Sequence, residues 1–326
     1  MYKAFFGLAR NPFEISPDPY FFYPTARHNE ALANLYYGIR KQKGFVVITG
    51  EVGTGKSLLI RCLMQTLRQS NVAFAYVFNT TLNPREFLEY ALADLGLKYN
   101  SSSKTDLLMT LNNFLVDRHR RGLTTALIVD EAQNLRPEVL EEVRLLTNLE
   151  TERQKLLQIV LVGQPELDAK LDSTDLRQLK QRIGLRCKLE PLEFEEVPNY
   201  IHKRLERAGA AERSRTMFSA EAVGAICRYS KGLPRLINTV CENALLTAYA
   251  MQSSIVTPEI VNEVARDFRL DAPSHMADGA DPLQAMENGG DPRSRKAVIR
   301  ALLDLLESQE IEAGVSQYAA TKKGSH

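Results

Sequence analysis

Two short stretches hold residues whose types and spacing suit phosphate chemistry. Gly50-Glu51-Val52-Gly53-Thr54-Gly55-Lys56-Ser57 satisfies GxxxxGK[ST] at every fixed position. A triphosphate carries clustered negative charge, and glycines let a backbone wrap around it with its amide N–H groups turned inward. In such a stretch Lys56 reaches the β- and γ-phosphates, Ser57 places its hydroxyl on Mg²⁺, and Leu58 continues the binding segment. The second stretch is Ala126-Leu-Ile-Val-Asp130-Glu131. Its four apolar residues form a buried strand that delivers two carboxylates at its C-terminal edge, where open α/β sheets bind ligands. Asp130 would hold Mg²⁺, largely through water, and Glu131 would polarise the attacking water as general base. An acidic pair often does no more than end a strand; its distance downstream of the glycine-rich stretch gives this one meaning. The ligands implied are ATP and Mg²⁺.

Elements must exist to position these groups. FVVIT (45–49) is a short apolar strand directly before the glycine-rich stretch, and helical spacing runs from Lys56 to Gln69 directly after it. The helix start adds its positive dipole end to the phosphate site. Further strands are expected at 73–78, 126–130, 158–163 and 185–189, with helices at 84–95, 104–121 and 137–150 between them. That alternation predicts an α/β fold with a parallel five-stranded sheet covered on both faces. After Pro191 the strands stop, and helices are expected near 195–208, 219–229, 234–251 and 258–269. Ser219 and Thr257 suit N-caps, and Pro258 the first helical position.

The chain then divides into an N-terminal segment (1–40), an α/β core (41–191), a small all-helical domain (192–270) and a tail (271–326). The first segment is rich in Phe, Tyr and Pro. Its prolines predict extended and turn structure, its aromatics pack on the domain that follows, and helical spacing begins at His28. The tail reads as a polar linker (271–291), one amphipathic helix (293–309) and a disordered end.

Composition narrows the function classes. Forty-one basic residues against 40 acidic ones leave a net charge of +1, which advertises neither nucleic acid nor an anionic membrane as partner. Arg118-His119-Arg120-Arg121 is a local basic run that could touch phosphates, although a solvated helix end is the plainer reading. No window reaches the roughly 18–20 apolar residues of a membrane span, and the N-terminus lacks the apolar region of a secretory signal. A cytoplasmic protein, peripheral at the inner membrane if it serves a membrane machine, is expected. Cys62, Cys187, Cys227 and Cys241 form no CxxC pair and read as buried free thiols.

A glycine-rich phosphate loop, an Asp-Glu pair, a strand ending in a polar residue and then a small helical domain resemble the AAA+ ATPases over about residues 1–270. The resemblance implies a P-loop AAA+ core with a helical lid. It places Gln164, after the fourth strand, on the γ-phosphate or the water. It implies an arginine given to the neighbouring subunit's ATP, for which Arg177, Arg182 and Arg186 are candidates and Arg182, at a helix-to-strand junction, is favoured. Gly232-Leu-Pro234-Arg235 matches the lid motif whose arginine contacts the phosphates. Asn79, ending the second strand, takes the place of a residue that restrains Glu131 until a partner binds.

Phe6-Gly-Leu, Asn11-Pro-Phe13, Pro17-Asp-Pro19, Glu30-Ala-Leu, Val160-Leu-Val-Gly-Gln-Pro-Glu-Leu167 and Leu179-Lys-Gln-Arg-Ile183 look like the ExeA-type ATPases of bacterial general secretion pathways. Relatives serve type IV pili and exosortase-associated polysaccharide loci. The resemblance implies ATP hydrolysis, a homo-oligomeric ring or filament, and membrane-associated secretion, pilus or export components as partners. ExeA continues into a transmembrane segment and a peptidoglycan-binding domain that these 326 residues lack, so a soluble cousin in a pilus or export system is expected. A DNA-associated ATPase such as a transposition regulator is the rival reading.

Overall fold

The computed structural model describes residues 2–99, 103–210 and 212–270. The tail expectations at 271–326 lie outside the described residues. Five strands form one parallel sheet in the order β2-β3-β4-β1-β5: β1 (Phe45–Gly50), β2 (Ala73–Val77), β3 (Thr125–Val129), β4 (Leu157–Gly163) and β5 (Leu185–Leu189). Successive side chains of a strand face opposite ways. The even residues Val46, Ile48, Ala126, Ile128, Val160 and Val162 pack under α2 (Ala26–Arg40) and α3 (Lys56–Gln69). The odd residues Phe45, Val47, Leu127, Val129, Ile159 and Leu161 pack on the other face. There they meet α4 (Pro84–Asp94), α5 (Lys104–Arg120), α6 (Pro137–Leu146), α7 (Pro165–Leu171) and α8 (Arg177–Lys180). Two-sided burial is why β1, β3 and β4 read as continuous apolar runs.

The short α7 was not foreseen, and α8 only as the helix before the Arg182 junction. Pro165 at N1 and the acids Glu166 and Asp168 in its first turn give α7 a local reason to start. The helical lid holds α9 (Glu196–Arg207), α10 (Ala220–Ser230), α11 (Pro234–Ala250) and α12 (Pro258–Asp267). Ser219 caps α10 through the Ala222 N–H, and Pro258 opens α12, but the Thr257 hydroxyl makes no cap bond.

The N-terminal segment departs from expectation. Residues Tyr2–Phe6 form a helix, α1, since the prolines that oppose one begin only at Pro12. Most of its aromatics pack into the lid, whereas Phe22 packs on the α/β core that follows in sequence: Tyr2, Phe6, Phe13 and Phe21 belong to the lid's own core. The buried Arg204 of α9 explains the attachment. Its Nε donates to the Pro12 carbonyl, and its guanidinium lies 4.9 Å from the Phe21 ring centre. The Ala9 and Arg10 N–H groups both donate to the Ala208 carbonyl. The cysteines are free; three are buried and Cys62 is half-buried.

Candidate functional site

The strand order brings the predicted chemistry together. β4 lies between β1 and β3, so the glycine-rich loop after β1, Gln164 after β4 and Asp130-Glu131 after β3 share one sheet edge. Adjacent strands are about 4.8 Å apart, which puts the loop roughly 10 Å from the acids, with Gln164 between them. That gap suits a terminal phosphate and a cation.

Within the loop, Gly53 (φ 85°) and Gly55 (φ 99°) occupy the left-handed region, where any side chain is strained. A Cβ on Gly50 would meet the Leu189 carbonyl oxygen at 2.4 Å, so glycine is required there by packing. Lys56 Nζ donates to the carbonyls of Gly50 (2.7 Å) and Glu51 (2.9 Å), folding the loop over its own lysine. Glu51 therefore contributes its carbonyl, while its side chain and that of Val52 are exposed. No side chain caps α3, so its first N–H groups keep their donors for an anion. Ser57 is half-buried one residue beyond Lys56.

Burial lowers the pKa of Lys56, opposed by the charges of Glu131 and Asp130. Burial raises that of Asp130, opposed by hydrogen bonds from Tyr76 and from the Glu131 N–H. A buried ammonium bonded to backbone carbonyls and a buried carboxylate bonded to a phenol, facing one another at one edge, fit a polyphosphate with a divalent metal. Lys56, Ser57 and the loop amides would hold the phosphates; Asp130 and Ser57 would hold Mg²⁺.

Four side chains were missed by sequence reasoning. Tyr76 of β2 donates to Asp130 Oδ2 at 2.8 Å. It stands level with Ile128 on the neighbouring strand, so its phenol reaches two residues onward on the same face. Gln133 lies in a 3₁₀ turn, Ala132–Asn134, and donates to Glu131 Oε2 at 2.6 Å. Gln164 approaches the same oxygen at 3.4 Å. His28 links Thr25 Oγ1 (2.7 Å) to the Thr54 carbonyl (3.3 Å), and burial lowers its pKa. Tyr200 joins His28, Phe22, Tyr23, Thr54, Gly55, Leu58, Leu192 and Pro234 around a narrow cavity of about 20 Å³ beside the loop. Only the adjacency of Gln133 to the acidic pair was a local signal.

The remaining expected residues divide. The Arg235 N–H donates to the Gly53 carbonyl at 3.2 Å, and a Cβ on Gly53 would come within 2.8 Å of Arg235 Cβ. The start of α11 thus rests on the phosphate loop. Arg182 donates to Thr147 Oγ1 (2.7 Å) and Asn148 Oδ1 (2.5 Å), both neutral acceptors. Arg186 is instead paired with Asp168 at 3.0 Å, and Arg177 is exposed at the start of α8. Asn79 does not hold Glu131: its amide oxygen accepts from the backbone N–H and hydroxyl of Thr81, an Asx turn closed locally. Gln133 occupies the glutamate instead. In the basic run, Arg118 is taken up by Thr125 Oγ1 and the carbonyls of Asn71 and Thr124, and Arg121 pairs with Asp117.

Comparison with known proteins agrees with this fold. A family model described as an AAA domain matches residues 39–171. The chain is 45% identical over 254 residues to the general secretion pathway protein A of Aeromonas hydrophila, covering 78% of this chain and 46% of that protein. It therefore spans less than half the length of that relative. Among solved structures, Drosophila ORC bound to DNA aligns with a TM-score of 0.61 at 20% identity, over 95% of this chain and 79% of that one. The Aeropyrum pernix ORC2 protein in its ADPNP-ADP complexes gives 0.58 at 17%, over 81% and 75%. At such identities the likeness is one of fold.

Proposed function

The chain belongs to the AAA+ family, in its ExeA-like general secretion pathway branch, and from that premise we propose that it binds Mg-ATP between sheet and lid and hydrolyses it. The observation that carries this reading is the shared sheet edge: Lys56, Gln164, Asp130 and Glu131 converge there, with the start of α11 seated on the loop. Mg²⁺, when bound, supplies charge neutralisation on the phosphates. Glu131 takes the proton from the attacking water, Gln164 orients the γ-phosphate end, and Lys56 meets the charge that develops. The nucleobase enters beside Tyr23, Leu58 and Tyr200, which requires the narrow cavity to widen as the lid turns.

Arg182 acts on the ATP of a neighbouring copy. Its hydrogen-bond partners are neutral, so its guanidinium is held in place by groups other than a carboxylate. Hydrolysis then depends on a ring or filament. Arg182→Ala subunits should regain turnover when mixed with Lys56→Ala subunits, and no rescue would remove the arginine from this role. The work done is assembly or remodelling of an envelope-associated secretion, pilus or export system, met by a cytoplasmic ATPase at the inner membrane. Support comes from the secretion-pathway relative. Among the described residues no helix is long and apolar enough to cross a membrane.

ATP turnover per subunit across a protein dilution series, with and without duplex DNA at physiological salt, tests the whole reading. A rate that rises with protein concentration and ignores DNA supports it. A rate that requires DNA replaces it with a transposition-type ATPase, a reading weakened by the internal engagement of Arg118.

A further inference from the structure

Building on the assignment of Glu131 as general base, we infer that Gln133 is a positioning residue that braces this base against the end of β4. Glu131 is the one residue of the acidic pair with left-handed backbone (φ 51°, ψ 38°). Such a conformation persists where surrounding contacts over-determine it. Gln133 supplies two of them. Its Nε2 donates to Glu131 Oε2 at 2.6 Å, while its Oε1 accepts the Gln164 backbone N–H at 3.1 Å. The amide orientation follows from its neighbours, since a carboxylate only accepts and a backbone N–H only donates. A side chain with both functions at this length is what the position demands: leucine offers neither, and glutamate lacks the donor.

Two further features hold the brace. A Cβ on Gly163 would come within 2.9 Å of Gln133 Oε1, so the bare glycine makes room for the amide. Lys170 of α7 donates to the Gln133 carbonyl at 3.1 Å and also to the Leu135 carbonyl, pinning the turn from behind. Both amides converge on Oε2 of Glu131, which leaves Oε1 untouched by either. The base and the phosphate-sensing residue are thereby fixed at one separation. This is a brace for catalysis and not a restraint that keeps the base idle.

The test uses the full chain at a concentration where wild-type turnover per subunit has levelled off, together with equilibrium binding of a fluorescent ATP analogue. Gln133→Leu should lower kcat about 10- to 100-fold, the span for losing a hydrogen bond to a charged group, with KM and analogue affinity within about twofold of wild type. Gln133→Glu should show the same loss, because a carboxylate has no donor to offer Glu131. In a Glu131→Gln background, Gln133→Leu should cost nothing further. Unchanged or raised kcat in Gln133→Leu, with Glu131→Gln inactive, overturns the brace and leaves the general base standing. Loss of analogue binding in both Gln133 variants also overturns it, since that marks a structural role. A Glu131→Gln variant that turns over normally removes the base itself, and the brace with it.

Discussion

The two sides of the nucleotide cleft are built differently. The phosphate side comes from stretches continuous in sequence, 50–57 and 130–131, and its shape is written in backbone: left-handed glycines, an uncapped helix start and a lysine bonded to its own loop. The lid side gathers Tyr23, Leu192, Tyr200, Pro234 and Arg235 from remote segments. It meets the loop through the Arg235–Gly53 backbone hydrogen bond and the packing of Arg235 Cβ near Gly53. The first side can be stiff because short-range geometry sets it. The second can move, because a few contacts and packed side chains set it, and such assemblies have discrete alternatives. The first part of the N-terminal segment goes with the lid side, since Tyr2, Phe6, Phe13 and Phe21 are lid core.

Breaking the phosphate side should have the largest effect. Lys56→Ala should lower ATP affinity at least ~1000-fold by titration calorimetry, because the cation goes and the loop loses its internal tie. Retained affinity would sink the phosphate-site assignment. Breaking the junction between the sides comes next. Gly53 is not a fixed position of the motif, yet Gly53→Ala would place a methyl against Arg235 and in the left-handed region. It should weaken ATP binding about 10- to 100-fold and make the lid boundary more sensitive to protease. Normal affinity would mean that the lid does not close on this loop.

Smaller changes sharpen the contrast. Tyr76→Phe removes the donor that orients Asp130, and should raise the Mg²⁺ concentration for half-maximal turnover about 10-fold, the low end for a residue that orients a metal ligand. An unchanged Mg²⁺ profile would detach Tyr76 from the metal site. His28 gives the mildest expectation. Burial depresses its pKa in the fold, so the unfolded chain, titrating near 6.5, takes up the proton first. Its contribution to stability is present above about pH 6.5 and lost as pH falls through the folded value. Melting temperature should therefore fall from pH 7 to pH 5 by a few degrees more in wild type than in His28→Gln. Parallel curves would remove His28 from the loop's support.

Much of the fold was legible because its signals are local. The β1 strand, α3 and the acidic strand end were each marked by an apolar run or a glycine pattern, and β5 fell where expected, at Leu185–Leu189. α1 was missed because five residues carry too little periodicity to oppose the impression of a proline-rich segment. Asn79 was misread because strand-end position suggested reach, whereas its side chain closed on Thr81 two residues away. Gln133 and Tyr76 went unnoticed for opposite reasons: one is adjacent to the acids but carries no motif, the other is 54 residues from its partner.

By itself the sequence determined the phosphate loop, the order of strands and helices along the chain, and the two carboxylates at a strand end. These depend on backbone freedom, on apolar periodicity and on groups a few residues apart. Only the tertiary structure decided that β4 lies between the loop and the acids, that Tyr2, Phe6, Phe13 and Phe21 complete the lid, and that Gln133 and not Asn79 bonds to Glu131. Strand order, the choice of packing partner and the closure of a hydrogen bond across separate strands rest on non-local contacts, whose energy depends on where distant residues meet.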